Sequence, residues 1–135
     1  MSFDQAIKVC FKKYADFNGR ASRSEYWWFY LFAVIIMFGS AFVLSFVGAL
    51  FGTAAGSSTL DSDLEVLANL GLLIAIAIFF IPLLSASVRR LHDTNRSGWY
   101  VLFQLIPCVG PIILLIFLVQ ESSKGKNKYG TLKKK

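Results

Sequence analysis

Read as apolar and polar positions alone, the chain is an amphipathic stretch followed by three long apolar runs, with short polar segments between them. In residues 2–17, Phe3, Ile7, Cys10 and Tyr14 recur at helical spacing while Lys8 and Lys12 fall on the other side, which predicts a short amphipathic helix. Ser2 and Gln5 offer it a capping box. Such a helix either lies in the head-group region of a bilayer, lysines toward anionic lipid, or packs onto the protein's own cytoplasmic loops.

The first apolar run, residues 26–52, carries no charge; at about 1.5 Å per residue it exceeds the roughly 30 Å hydrocarbon core and predicts a tilted spanning helix. Asn18-Gly19 marks a turn ahead of it, and Ser22 with Glu25 repeats the capping-box pattern at its start. Tyr26, Trp27, Trp28 and Tyr30 crowd that end as an interfacial aromatic anchor. Ala41, Ser45, Ala49 and Gly52 form a small-residue stripe suited to close helix packing within the chain or to a dimer seam. Residues 53–63 read as an external loop, after which Ser62 and Glu65 cap a second span over 64–88, with Gly71 and Ala75 as its contact face and Pro82 kinking it near the inner end. Residues 89–98 form a polar cytoplasmic loop.

The third run, residues 99–119, is interrupted by Pro107-Cys108-Val109-Gly110-Pro111. Its length favours a single kinked crossing, yet the basic tail over 120–135 holds six lysines, which favours a re-entrant hairpin that keeps the tail inside. The expected fold is thus all-α: a polytopic integral membrane protein of one membrane domain, residues 1–135, with three apolar membrane segments and, over 1–25, a cytoplasmic N-terminal amphipathic interfacial helix and turn.

Composition sharpens this picture. Only 16% of the 135 residues are charged, against about 25% in soluble domains, and mean hydropathy is +0.58. Net charge is +6, with the lysines and arginines outside the apolar runs, which points to anionic phospholipid head groups and away from nucleic acid. The first run begins too late and is too long for a cleaved signal peptide. Five basic residues precede Tyr26, none lies in 53–63 and three lie in 89–98, so the positive-inside rule puts the N-terminus in the cytoplasm. Cys10 and Cys108 are too far apart in this layout for a disulfide.

Charge chemistry concentrates at Val88 to Trp99, where Arg89, Arg90, His92, Asp93 and Arg96 stand together. Metal catalysis needs three or four convergent ligands and the chain has one histidine, and no nucleophile elbow or phosphate loop occurs, so no metal, cofactor or catalytic residue is expected. Arg20, Arg23, Arg89, Arg90 and Arg96, with Glu25, His92 and Asp93, remain as a candidate cluster for an anionic lipid head group or a partner protein, since the guanidinium fork suits phosphate oxygens. The simpler account is that these charges orient the protein and pair with local acids. A non-enzymatic membrane protein is the expected function; an oligomeric transport or channel component is the alternative, and a lipid-head-group enzyme acting through His92 and Asp93 a remoter one.

Four ordered blocks carry a family resemblance: Phe17 to Trp28; Arg89-Arg90-Leu91-His92-Asp93 with Ser97-Gly98-Trp99; Ile106-Pro107 with Gly110; and Gly125 to Gly130. With these the chain resembles the domain of unknown function 805 family, the YhaH-like inner-membrane proteins of bacteria. Tyr100, where a second tryptophan fits the pattern, is a mild departure. The resemblance implies a bacterial inner membrane and a small multi-span protein, and it brings no activity with it.

Overall fold

The computed structural model describes residues 1–55 and 58–131, and among them the fold is all-helical. Four α-helices follow one another, α1 (Phe3–Lys12), α2 (Arg23–Ala55), α3 (Ser58–Asp93) and α4 (Val109–Val119), with a 3₁₀ segment, Gly98–Leu105, ahead of α4. The chain divides into two compact units, one formed by residues up to Tyr30 together with those from Ile81 onward, the other by Leu31–Phe80. The tail lysines at 133–135 lie outside the described residues.

The Leu31–Phe80 unit is turned inside out relative to a soluble domain. Its large side chains face outward, with Phe42 70% and Phe38 63% exposed, while Ala33, Ala68, Ala75 and Phe79 are buried. The Phe32 and Phe79 rings meet edge to face at 5.7 Å. So much exposed apolar surface is stable only where the surrounding solvent is itself apolar. Two helical stretches, Arg23–Leu50 and Glu65–Asp93, are long and apolar enough to cross a membrane. Of the small-residue stripe, Ser45 and Ala49 are exposed.

Several boundaries differ from the sequence expectation. Of the loop expected over 53–63, residues 53–55 and 58–63 are helical, because no proline interrupts them, and 56–57 lie outside the described residues. Ser62 therefore sits inside α3 instead of capping it. Pro82 lies within α3 without ending it. The amphipathic helix stops at Lys12, short of residue 17, and a turn follows in which Asp16 N donates to Lys13 O at 3.2 Å.

In the other unit, α1 packs its apolar side on the opening turns of α2. Phe3 meets Trp28 at 5.7 Å, Phe11 meets Phe29 at 5.5 Å, and Ala6 and Cys10 are fully buried. The expected Ser2–Gln5 capping box forms, with Ser2 N donating to Gln5 Oε1 at 3.3 Å, and the Ser22 box forms in part, with Glu25 N donating to Ser22 Oγ at 3.2 Å. α3 ends by a Schellman arrangement, with Arg96 N donating to Leu91 O at 2.9 Å and Asn95 N to His92 O at 3.0 Å. Asn95 takes the left-handed position this motif requires, at φ 61.

The third apolar run folds back on itself in a hairpin. Tyr100 and Phe117, near its two ends, pack edge to face at 5.6 Å, and the 3₁₀ segment and α4 are in contact along the arms. The apex is a γ-turn: Val109 N donates to Pro107 O at 2.7 Å across Cys108, whose φ is 64 and ψ −57. Gly110 lets the arms close, since a Cβ there would collide with the Phe103 carbonyl.

Candidate functional site

The polar blocks singled out by the sequence converge within the unit that holds both chain ends. Arg20, Glu25, Arg89, Arg90 and Asp93 are all buried, the last three completely. Each buried charge is met. Arg89 Nη1 donates to Glu25 Oε1, and Arg90 Nη1 to Asp93 Oδ2. Arg20 Nε donates to the other oxygen, Asp93 Oδ1, at 2.9 Å. Glu25, which as a capping residue could have reached back to its own helix start, pairs with α3 instead.

Three guanidinium groups against two carboxylates leave one positive charge in excess, and backbone carbonyls of the C-terminal segment take it up. Arg20 donates through Nη1 to Gly125 O at 2.6 Å and Gly130 O at 3.2 Å, and through Nη2 to Ser123 O at 2.7 Å. Arg90 donates through Nε to Leu118 O at 2.9 Å and through Nη2 to Gln120 O, where the last carbonyls of α4 lack helical partners and the helix dipole is negative. Arg89 has no such support: its Nη2 lies 4.0 Å from Cys10 Sγ and its Nε has no hydrogen-bond partner.

The tail is stitched to the end of α3 by the same logic. Ser123 donates to Asp93 O through both N, at 3.0 Å, and Oγ, at 2.9 Å. Asn127 Nδ2 donates to His92 O at 2.8 Å and to Ser123 Oγ at 2.9 Å, and Asn127 and Gly130 close a turn on each other. That turn carries the Tyr129 ring onto His92 in a parallel stack at 3.8 Å. His92 Nδ1 lies 3.2 Å from Gly19 O. Gly98 lets the hairpin begin against this end of α3, because a Cβ there would meet Val88.

Arg23 and Arg96 stand apart from the buried set. The Arg23 side chain is half exposed and reaches exposed Glu121 at 3.4 Å. Arg96 lies over the Phe117 ring at 3.8 Å and donates to Gln120 Oε1 at 3.0 Å. Sequence reasoning missed Ser123, Asn127 and Tyr129, although the block Gly125 to Gly130 holds two of them; what it lacked was the return of the tail to Asp93. Both cysteines are free, Cys10 buried and Cys108 exposed, and burial pushes the Cys10 thiol up to about 11, with Glu25 adding to the shift and Arg89 opposing it. Among the described residues no group of three His, Cys, Asp or Glu side chains is placed to hold a metal.

No solved structure matches this chain. The inner membrane protein YhaH of Escherichia coli K12 is 36% identical over 129 residues, covering 94% of this chain and 93% of the relative. The inner membrane protein YhaI of the same strain is 38% identical over 119 residues, covering 88% and 86%. The family model described as Protein of unknown function (DUF805) matches residues 14–131, the span that includes the arginine–carboxylate network, the hairpin and the latched tail, and the chain belongs to that family of membrane proteins.

Proposed function

We propose that this is a non-enzymatic inner-membrane protein with two crossings, that its N-terminal segment and its basic tail share the cytoplasmic side, and that its charged head holds anionic phospholipid head groups through its outward cations. The observation that carries this reading is the division of the basic residues into two sets. Arg20, Arg89 and Arg90 are consumed inside the head by Glu25, Asp93 and carbonyls. Lys12, Arg23, Lys124, Lys126 and Lys128 are exposed. The buried members of the cluster are then the frame, and Arg23, Arg96 and the lysines are the surface offered to phosphate oxygens.

Three points support the rest of the reading. Basic residues flank the head and are absent from 53–63, as the positive-inside rule asks of a cytoplasmic head. Gln120 to Gly130 contacts Arg20, Arg90 and Asp93, which keeps the tail with the N-terminal segment. His92 and Asp93, the pair an acid–base mechanism would use, are occupied by Gly19, Tyr129, Arg20 and Arg90.

The test is native mass spectrometry of delipidated protein titrated with phosphatidylglycerol and with phosphatidylcholine. Each lysine near an anionic surface contributes about 1 kcal/mol, so replacing Lys124, Lys126 and Lys128 by glutamine is expected to weaken phosphatidylglycerol binding by roughly a hundred-fold and leave phosphatidylcholine unchanged. Equal binding of the two lipids by the parent protein would sink the proposal.

A further inference from the structure

We infer that residues 98–119 form a wedge immersed in the cytoplasmic leaflet alone, and that its partner is the acyl chains of that leaflet's phospholipids. The hairpin arms turn their apolar side chains outward. Trp99 and Leu105 are each 78% exposed, and Leu102, Ile106, Val109, Ile112, Leu115, Ile116 and Val119 are exposed with them, whereas Gly110, Leu114 and Leu118 face inward. From Gly98 to Val119 there is no charged side chain and one amide, Gln104. Water does not solvate such a body without aggregation.

Reach and tethering decide how deep it goes. α4 has 11 residues and so spans about 16 Å, roughly half of a 30 Å hydrocarbon core. Both ends of the hairpin are held at one place: Gly98 lies against Val88 and His92, while Leu118 and Gln120 are bound by Arg90 and Ser123 by Asp93. A segment held at both ends against the end of α3, and too short to reach the far side, occupies one leaflet. The aromatic Trp99 and the cationic Arg96 at its base are the residue types that sit at the head-group level.

A second copy of the chain is the competing occupant. It fits less well, because exposed apolar residues lie on both arms, and a partner covering one arm leaves the other in water. Trp28, Tyr30 and Ile81 of the same unit are exposed as well, so the apolar surface is not confined to one patch. The inference shares with the proposed function the reading of two crossings and a cytoplasmic head, and it is independent of head-group preference.

Cys108 at the apex is exposed and Cys10 is buried, so the full-length Cys10→Ala chain takes a single fluorophore at the apex. In phosphatidylglycerol–phosphatidylethanolamine vesicles carrying quenchers at graded depths, the apex label is expected to be quenched more by deep-chain than by head-group quenchers. In a companion chain lacking both native cysteines, Lys126→Cys is expected to react with an impermeant maleimide in inverted membrane vesicles and not in intact spheroplasts. Reaction of Lys126→Cys in intact spheroplasts would overturn the wedge, and so would an apex label that no lipid quencher reaches but that responds to protein-to-lipid ratio, the signature of a second copy. Retained apex quenching without a preference for phosphatidylglycerol would count against the head-group proposal and not against the wedge.

Discussion

Counting charges, Asp93 should matter more to stability than Glu25, since it faces two arginines and Glu25 faces one. The structure predicts the reverse order. Replacing either carboxylate by its amide keeps the volume and leaves a guanidinium buried without its counter-charge, a change that costs about 3–5 kcal/mol. After Asp93→Asn, Arg20 retains carbonyls of Ser123, Gly125 and Gly130, and Arg90 retains those of Leu118 and Gln120. After Glu25→Gln, Arg89 keeps a neutral amide oxygen in place of its carboxylate, a 4.0 Å contact to Cys10 Sγ, an unbonded Nε and no backbone carbonyl. Asp93→Asn therefore belongs near 3 kcal/mol and Glu25→Gln near 5 kcal/mol, the two ends of that range. At about 4 °C per kcal/mol for a body of this size, the melting midpoint in detergent falls by about 12 °C and about 20 °C respectively. Tryptophan fluorescence during heating reads both. A larger drop for Asp93→Asn, or both variants within about 2 °C of the parent, would refute the reasoning that carbonyls share the load of the Arg20 and Arg90 charges.

Gly110→Ala sets a methyl group against the Phe103 carbonyl at the hairpin neck, and overpacking of this kind costs about 1–3 kcal/mol, so faster alkylation of Cys108 in detergent and a lower melting midpoint are expected. Asn95→Val puts a β-branched residue at φ 61 in the turn that ends α3; a loss of about 1–2 kcal/mol is expected in chemical unfolding, with Asn95→Gly close to the parent. Burial raises the Cys10 thiol from 9.0 to about 11, so the folded state holds that proton more tightly than the unfolded chain. The resulting stabilisation is complete below pH 9 and is lost as pH rises toward 11; Cys10→Ala should flatten that part of the stability profile, and an unchanged slope would contradict it.

Periodicity makes the membrane helices legible, because a run without charges over 26–52 has no other stable solvent than lipid. The Ser22 cap and the turn at Asn18-Gly19 are local signals and are readable for the same reason. The charged cluster is legible as a cluster but not as a set of roles. Arg20 and Arg23 stand three residues apart, yet one is buried on Asp93 and the other is half exposed beside Glu121, a difference decided by where the tail returns. The hairpin is half legible: its residue count fits a crossing, while the tail lysines and the break at Pro107 to Pro111 point to a turn, and the γ-turn at Cys108 and the neck at Gly110 supply the fold-back. Helix ends at the 53–63 region escaped because Thr, Ala and Ser tolerate helix as readily as loop.

The excess positive charge of the buried network links its two halves. Glu25 and Asp93 cannot neutralise Arg20, Arg89 and Arg90 by themselves, so burial of all three requires additional acceptors. Those acceptors are the carbonyls of Leu118, Gln120, Ser123, Gly125 and Gly130, and they reach the arginines only because the hairpin turns back at Pro107 to Gly110. A third run that crossed the bilayer would leave Arg20 and Arg90 sharing one carboxylate in an apolar surround. Arg20 and Arg90 are then the groups that hold the C-terminal segment against the N-terminal segment and the end of α3. Replacing Arg20 and Arg90 together by methionine is accordingly expected to free the tail, seen as rapid proteolysis within 120–130, while α2 and α3 remain helical by circular dichroism; a tail that stayed protected would mean that Ser123 and Asn127 hold it without the arginines.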